Sequence, residues 1–189
     1  MTRIEQAQAF AHEAHDSINQ KRKYTGEPYW VHTDTVAQTV AETVGATEDM
    51  IVAAHLHDVL EDVAPKNVRF SAVRIQVLFG DATLKMVYEL TDEYTKEHYP
   101  KLNREARKEL ERQRVSKISF DAKTIKLADL IDNTTSIVEH DPDFAVTYLK
   151  EMLALLPCLV GGSPVLLQRA SMQTVVACQK IGVDIPVIS

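Results

Sequence analysis

Residues 51–62 read IVAAHLHDVLED, and this stretch decides how the rest of the chain is read. Its apolar start, Ile51 to Ala54, continues a helix that Thr47 is placed to cap, with Glu48 and Asp49 in the first turn, where the helix dipole favours acids. The pattern predicts a helix running to about Asp62, with Pro65 just beyond. On such a helix His57 and Glu61 are four apart, as are Asp58 and Asp62, so the four share one face. Three carboxylates so close together repel one another unless something positive lies among them, and a divalent cation is the simplest candidate. A solvated helix end explains the cluster less well: acids near a helix C-terminus oppose the dipole, and the His57-Asp58 pair sits among Ala, Leu and Val. His55 falls off this face and reads as a packed or surface histidine.

The flanking sequence is helical in every direction. Ile4, Ala7, Ala11, Ala14 and Ile18 recur at spacings of three and four, an amphipathic helix. A polar stretch from Lys21 to Pro28 interrupts, with Gly26 and Pro28 as breakers. A helix is expected from near His32 to Val44, ended by Gly45. Further helices are expected over 71–79 and 81–90, separated by Gly80, then over 102–119 and 122–138. Asp143 is placed to cap one ending near Pro157, and Ser163-Pro164 opens a last one ending at Gly182. Alternating β patterns are missing. The expected fold is all-α, a single bundle of about eight to ten helices, with no linker dividing residues 1–189.

Two more segments bear on the cation. Gly26-Glu27-Pro28-Tyr29-Trp30-Val31-His32 places a histidine at a helix start after a rigid turn. Lys126-Leu127-Ala128-Asp129-Leu130-Ile131-Asp132-Asn133 puts Asp129 and Asn133 on one helical face. Either alone would be an ordinary structural group. With His57 and Asp58, His32 and Asp129 complete a set of two histidines and two carboxylates. Such nitrogen and oxygen ligands, with no thiolate, suit Mn²⁺, Fe²⁺ or Mg²⁺ better than a structural zinc site. Glu61 and Asp62 are then left to orient or deprotonate a water.

Composition narrows the classes. Lys plus Arg total 21 against 27 Asp plus Glu, a net charge of −6, whereas a protein that coats nucleic acid leans the other way. Cys158 and Cys178 belong to no CxxC pair, so a disulfide scaffold is excluded and a reducing, cytoplasmic setting is expected. The longest apolar run, Met152 to Val160, is interrupted by Pro157 and is too short to span a bilayer. No membrane partner is expected, and oligomeric state is open. The cluster Lys21-Arg22-Lys23, close to His32, is suited to gripping a polyanion. Residues 101–117 carry seven basic residues against three acids, and this stretch reads mainly as a solvated helix face with internal pairs such as Glu109 with Arg112.

The order of these motifs resembles the hydrolase domain of the RelA/SpoT family. Arg22-Lys23 and Gly26-Glu27-Pro28-Tyr29 are followed by His32, Leu56-His57-Asp58-Val59-Leu60-Glu61-Asp62, Phe79-Gly80, Leu90-Thr91-Asp92 and Lys126-Leu127-Ala128-Asp129 with Asn133. The resemblance runs from about residue 4 to about residue 157. It implies an HD-type, Mn²⁺-dependent phosphohydrolase that removes pyrophosphate from the 3′ position of a small nucleotide alarmone, without the synthetase and regulatory domains of the long members. It implies that His32, His57, Asp58 and Asp129 hold the metal and that Glu61 and Asp62 act on water. Arg22, Lys23, Asn133, Lys101 and Tyr148 are implied to contact the substrate. The sequence departs from the family where an arginine usually follows the asparagine by two residues: here the segment is Asn133-Thr134-Thr135. Guanosine and adenosine alarmones, (p)ppGpp and (p)ppApp, therefore both stay open, as do another phosphohydrolase activity on NADPH or a (deoxy)nucleotide and a non-catalytic alarmone-binding module.

Overall fold

The computed structural model describes residues 1–185. The chain forms α1 (Arg3–Ser17), α2 (Trp30–Ala41), α3 (Glu48–Leu56), α4 (Ala72–Leu90), α5 (Arg104–Val115), α6 (Phe120–His140), α7 (Pro142–Leu155) and α8 (Pro164–Ile181). Among the described residues there is no strand; a single antiparallel bridge, Lys21 to Pro28, closes the loop between α1 and α2. The all-α expectation holds.

Caps explain most boundaries. Thr2 accepts from Glu5 N and the Glu5 carboxylate accepts from Thr2 N, a capping box that starts α1. Thr47, Asn103, Ser119 and Ser163 cap α3, α5, α6 and α8 through their side-chain oxygens. Gly182, at φ 74°, ends α8. The helix before Pro157 is capped by Asp141, whose Oδ1 accepts from Phe144 N; Asp143 lies in its first turn instead. Helix α2 begins at Trp30 and ends at Ala41, so it sits about two residues earlier than its apolar pattern indicated.

One departure matters for the site. The helix expected to run to Asp62 ends at Leu56, and after Asp58 (φ −97°, ψ −3°) a π-helical turn covers Val59–Val63. There Ala64 N donates to Val59 O, five residues back. A π turn is wider than an α turn, so His57, Asp58, Glu61 and Asp62 do not keep the single α-helical register expected of them. Asp62 N still donates to Asp58 O four residues back, while Glu61 turns to Asp92 N and Asp62 to Gln20.

Small residues set the packing. Ala7, Ala11 and Ala14 of α1 and Ala53 and Ala54 of α3 are fully buried, which lets the two helix backbones approach closely. Helix α6 runs through the middle, in contact with α2, α3, α4, α7 and α8, and buries Ile125, Leu127, Ala128, Leu130 and Ile131. Phe10 meets Phe70 and Phe79 edge-on, with ring centroids 5.1 and 5.6 Å apart, and full burial of such a side chain is worth about 1.5–3 kcal/mol. A second, smaller cluster of Leu149, Ala177, Cys178 and Val183 joins α7 to α8. No helix among the described residues is long and apolar enough to cross a membrane.

Candidate active site

Three elements converge at the centre of the molecule. The first turn of α2 brings His32, the end of α3 brings His57 and Asp58, and the middle of α6 brings Asp129. Nε2 of His32 lies 3.2 Å from Asp129 Oδ1 and 3.7 Å from Asp58 Oδ2. Nε2 of His57 lies 3.1 Å from Asp58 Oδ2 and 3.9 Å from Asp129 Oδ1. The imidazole rings stand 5.2 Å apart at 63°. Donor atoms of His32, His57 and Asp129 all fall within 4.8 Å of one another.

Both inward-facing Nε2 atoms are buried and aligned with no hydrogen-bond partner. Such orphans are rare in folded proteins, and here their outward nitrogens explain them. His57 Nδ1 is 2.7 Å from Ala54 O. A carbonyl only accepts, so Nδ1 carries the proton and Nε2 keeps a lone pair in the neutral ring. His32 Nδ1 faces the Asp132 carboxylate at 2.6 Å, with the same consequence. The two carboxylates are held as well. Tyr29 donates to Asp58 at 2.6 Å, Asn133 Nδ2 donates to Asp129 Oδ1 at 2.6 Å, and Lys126 Nζ pairs with Asp129 Oδ2 at 3.0 Å.

The electrostatics of the cluster carry the same demand for positive charge. Burial disfavours charged His32, but the Asp129 and Asp132 carboxylates outweigh it and raise its pKa to about 10. Unlike charges about 4 Å apart gain on the order of 4 kcal/mol at an effective dielectric of about 20, which is why attraction wins over burial. His57 is raised in the same way, against its own burial, by Asp58 and Asp129. Asp58 is held below the usual carboxylate range by His57, and Asp129 by Lys126 and His32, in both cases against desolvation. Two imidazoles that each offer an Nε2 lone pair once a cation displaces the extra proton, two ionised carboxylates and a supporting hydrogen bond on each of the four fit a divalent cation.

Glu61 and Asp62 flank this cluster on separate paths. Glu61 Oε2 accepts from Asp92 N at 2.9 Å. Desolvation, together with the Asp92 and Asp58 carboxylates, raises the Glu61 pKa to about 8, although its side chain reaches the surface. Asp62 Oδ2 accepts from Gln20 Nε2 at 2.7 Å, and Gln20 Oε1 in turn is 2.8 Å from His15 Nδ1.

The residues expected to meet a substrate are dispersed around the cluster. A cleft of about 190 Å³ is lined by Asp129, Asn133 and Tyr148, with Arg104, Lys108, Arg112 and Lys126 as its cations. A second cavity of about 240 Å³ holds Arg22 and Lys23 beside Tyr24, His32 and Phe144. Asn133 lines both. Arg22 and Lys23 are not idle: Arg22 pairs with Asp132 at 2.7 Å, and Lys23 with Asp141 at 3.0 Å. Tyr148 hydroxyl is 3.1 Å from Thr134 Oγ1. Lys101 is exposed in the turn before α5 and lines neither cavity. The α5 cations that do line the cleft were read in the sequence as a solvated face, yet their spacing, 104, 108 and 112, is one helical stripe. Sequence reading also passed over Tyr29, Lys126, Gln20 and Asp132 as partners of site residues. The last was legible as a second carboxylate one turn after Asp129. A wider groove of about 670 Å³ lies between α4 and α5, away from these groups.

Comparison with known proteins agrees with this geometry. Residues 7–156 match the HD domain family. The chain is 34% identical over 125 residues to the guanosine-3′,5′-bis(diphosphate) 3′-pyrophosphohydrolase MESH1 of Drosophila melanogaster, covering 65% of this chain and 64% of that protein's length. It is 32% identical over 142 residues to the MESH1 of Xenopus tropicalis, covering 74% of this chain and 72% of the relative. A solved structure, described as a metazoan ortholog of SpoT that hydrolyzes ppGpp, superposes with a TM-score of 0.77 at 25% identity, covering 97% of this chain and 98% of that one. The fold, the convergent histidines and carboxylates, and these relatives together establish that the chain belongs to the HD domain family, alongside the MESH1 proteins.

Proposed function

We propose that this protein, acting as one HD-type domain, hydrolyses a nucleoside 3′-pyrophosphate alarmone, (p)ppGpp or (p)ppApp, to pyrophosphate and the nucleotide with a free 3′ hydroxyl. One observation carries the reading: the two orphaned Nε2 atoms of His32 and His57 face Asp58 and Asp129 beside Glu61 and Asp62, next to a cleft lined with cations. The relatives named for this activity support the same choice of substrate class.

His32, His57, Asp58 and Asp129 would hold the cation. When bound, the cation, Mn²⁺ in this reading, supplies Lewis-acid polarisation of the scissile phosphoryl group. Glu61, whose carboxylate is held by Asp92 N, takes a proton from the attacking water. Asp62, fixed by Gln20, orients that water for in-line attack on the phosphorus next to the ribose oxygen. The bond to the 3′ oxygen breaks, that oxygen gains a proton, and pyrophosphate leaves. Arg22 offsets substrate charge from its seat on Asp132, and Lys23 by exchanging Asp141 for phosphate oxygens. Asn133 and Tyr148 line the nucleotide's path; Lys101, exposed in the turn before α5 and outside both cavities, would reach a substrate only from the rim. Free Cys158 and Cys178 support a reducing, cytoplasmic setting, and the acidic balance favours a small nucleotide over nucleic acid.

A second reading, action on NADPH or another (deoxy)nucleotide, has one feature in its favour. Thr135 hydroxyl donates to Ile131 O and is met by Gln173 Nε2 at 2.7 Å, so this position offers no cation to a base or phosphate. Product analysis with Mn²⁺ and equal amounts of ppGpp, pppApp and NADPH separates the readings, with the Glu61→Gln/Asp62→Asn variant as blank. Pyrophosphate from either alarmone supports the proposal. Inorganic phosphate from NADPH alone supports the second reading, and tight alarmone binding without turnover supports a non-catalytic module.

A further inference from the structure

His32 is flanked by two carboxylates from the same helix. Asp129 and Asp132 are three apart on α6 and lie on one face. Asp129 Oδ1 is 3.2 Å from Nε2, and Asp132 Oδ2 is 2.6 Å from Nδ1. The neutral ring has one proton, which can go to either side. On Nδ1 it leaves the Nε2 lone pair facing His57 and Asp58. On Nε2 it blocks that position.

The surroundings decide between the two. Asp129 is already supplied with donors, Asn133 Nδ2 on Oδ1 and Lys126 Nζ on Oδ2. Among the described residues Asp132 has one other side-chain partner, Arg22, whose Nη2 lies 2.7 Å from the same Oδ2 that meets His32. It is therefore the stronger acceptor, and its short contact is of the charge-assisted kind. The loop from Lys21 to Pro28 is braced internally, by Arg22 N donating to Glu27 O and Gly26 N donating to Arg22 O. One carboxylate oxygen thus joins the histidine ring to the loop that carries Arg22.

We propose that Asp132 is a positioning residue: it fixes the Nδ1–H tautomer of His32, which sets the affinity of the centre for its divalent cation, and it seats Arg22 against the centre. The inference rests on the metal reading of the site and deepens it. Nothing in it depends on which nucleotide is hydrolysed.

The test reads metal binding and tautomer rather than turnover. Mn²⁺ is titrated calorimetrically into metal-free wild type, Asp132→Ala and Asp132→Asn, each checked for fold by circular dichroism. The His32 tautomer is read from ¹⁵N shifts of the metal-free proteins at a pH high enough for the ring to be neutral, above the value of about 10 to which Asp129 and Asp132 raise it. Loss of an outer carboxylate on a ligating histidine typically costs about 10–100-fold in metal affinity. The expectation is a loss in that range for Asp132→Ala, with His32 moving toward Nε2–H. Asp132→Asn, which keeps the volume and an accepting oxygen, is expected to fall between. Asp141→Asn frees Lys23 without touching His32, and is expected to leave the affinity within about twofold of wild type. Should Asp132→Ala fail to fold, Asp132→Asn carries the same comparison. A folded Asp132 variant with wild-type affinity and an unchanged Nδ1–H tautomer overturns the proposal alone. A wild type that binds no divalent cation overturns the metal reading and this proposal together.

Discussion

At single residues, the site depends on hydrogen bonds that leave one atom free for a purpose. Gln20 is the clearest case. Its amide donates to Asp62 and its carbonyl faces His15 Nδ1, so Asp62 is aimed by a chain that begins on α1. Gln20→Ala is expected to lower kcat on the order of 10²-fold with little change in KM, because misplacing a reacting group by about 1 Å costs that much. Steady-state kinetics on the preferred alarmone checks this, and an unchanged kcat removes Gln20 from the alignment of Asp62. His15 gives a second expectation. Burial lowers its pKa, with the Gln20 contact opposing only in part, and its Nε2 is buried without a partner. The unfolded chain therefore binds a proton below about pH 6.5 that the folded one resists. This contribution is fully present above that pH and is lost as pH falls through it. Urea denaturation from pH 7.5 to 5 should show stability falling by up to about 1.4 kcal/mol per unit of pH from this residue. The His15→Gln variant should show a flatter profile than wild type; parallel profiles contradict the assignment.

At the level of elements, local backbone features position the groups. The π-helical turn Val59–Val63 sends Glu61 toward Asp92 and Asp62 toward Gln20. An unbroken α-helix would have put them in register with His57 and Asp58. At Gly80, φ is 82° inside α4, so the two helical halves expected from the sequence meet at a kink that only glycine adopts without strain. Gly162 serves close approach. A methyl there would lie 3.0 Å from Lys123 Cβ and 3.1 Å from Lys123 C on α6. The second of these is backbone and cannot swing aside. Gly162→Ala is expected to destabilise the fold by about 1–3 kcal/mol, read as a lower urea midpoint at an unchanged m-value. A midpoint equal to wild type would show that the loop before α8 can move off α6.

At the level of the whole molecule, the centre gathers donors from α2, α3 and α6, which are far apart in the chain. A cation that binds only the folded arrangement stabilises it by mass action, about 2.7 kcal/mol at a free concentration 100 times Kd. Treatment with a chelator is expected to lower Tm, and added Mn²⁺ to restore it. His57→Ala is expected to abolish both the Mn²⁺-dependent rise in Tm and the turnover. A His57→Ala protein with an undiminished rise places the cation elsewhere.

The sequence by itself determined the all-α class and the helix order, and it picked out the two histidines and two carboxylates that converge at the centre. Each of these is written locally, in three- and four-residue spacing, in caps such as Ser119 and Ser163, and in short motifs such as His57-Asp58. It also carried the family, through several motifs in a fixed order. Only the tertiary structure decided what those residues face. The break after Leu56 is a competition between α and π hydrogen bonding that packing resolves. The link from Asp132 to His32 spans 100 residues, and that from Gln20 to Asp62 spans 42. The stripe of Arg104, Lys108 and Arg112 reads as an ordinary charged face until α6 and α7 close the cleft in front of it. Periodicity specifies which side of a helix is polar; only the packed chain specifies what stands opposite.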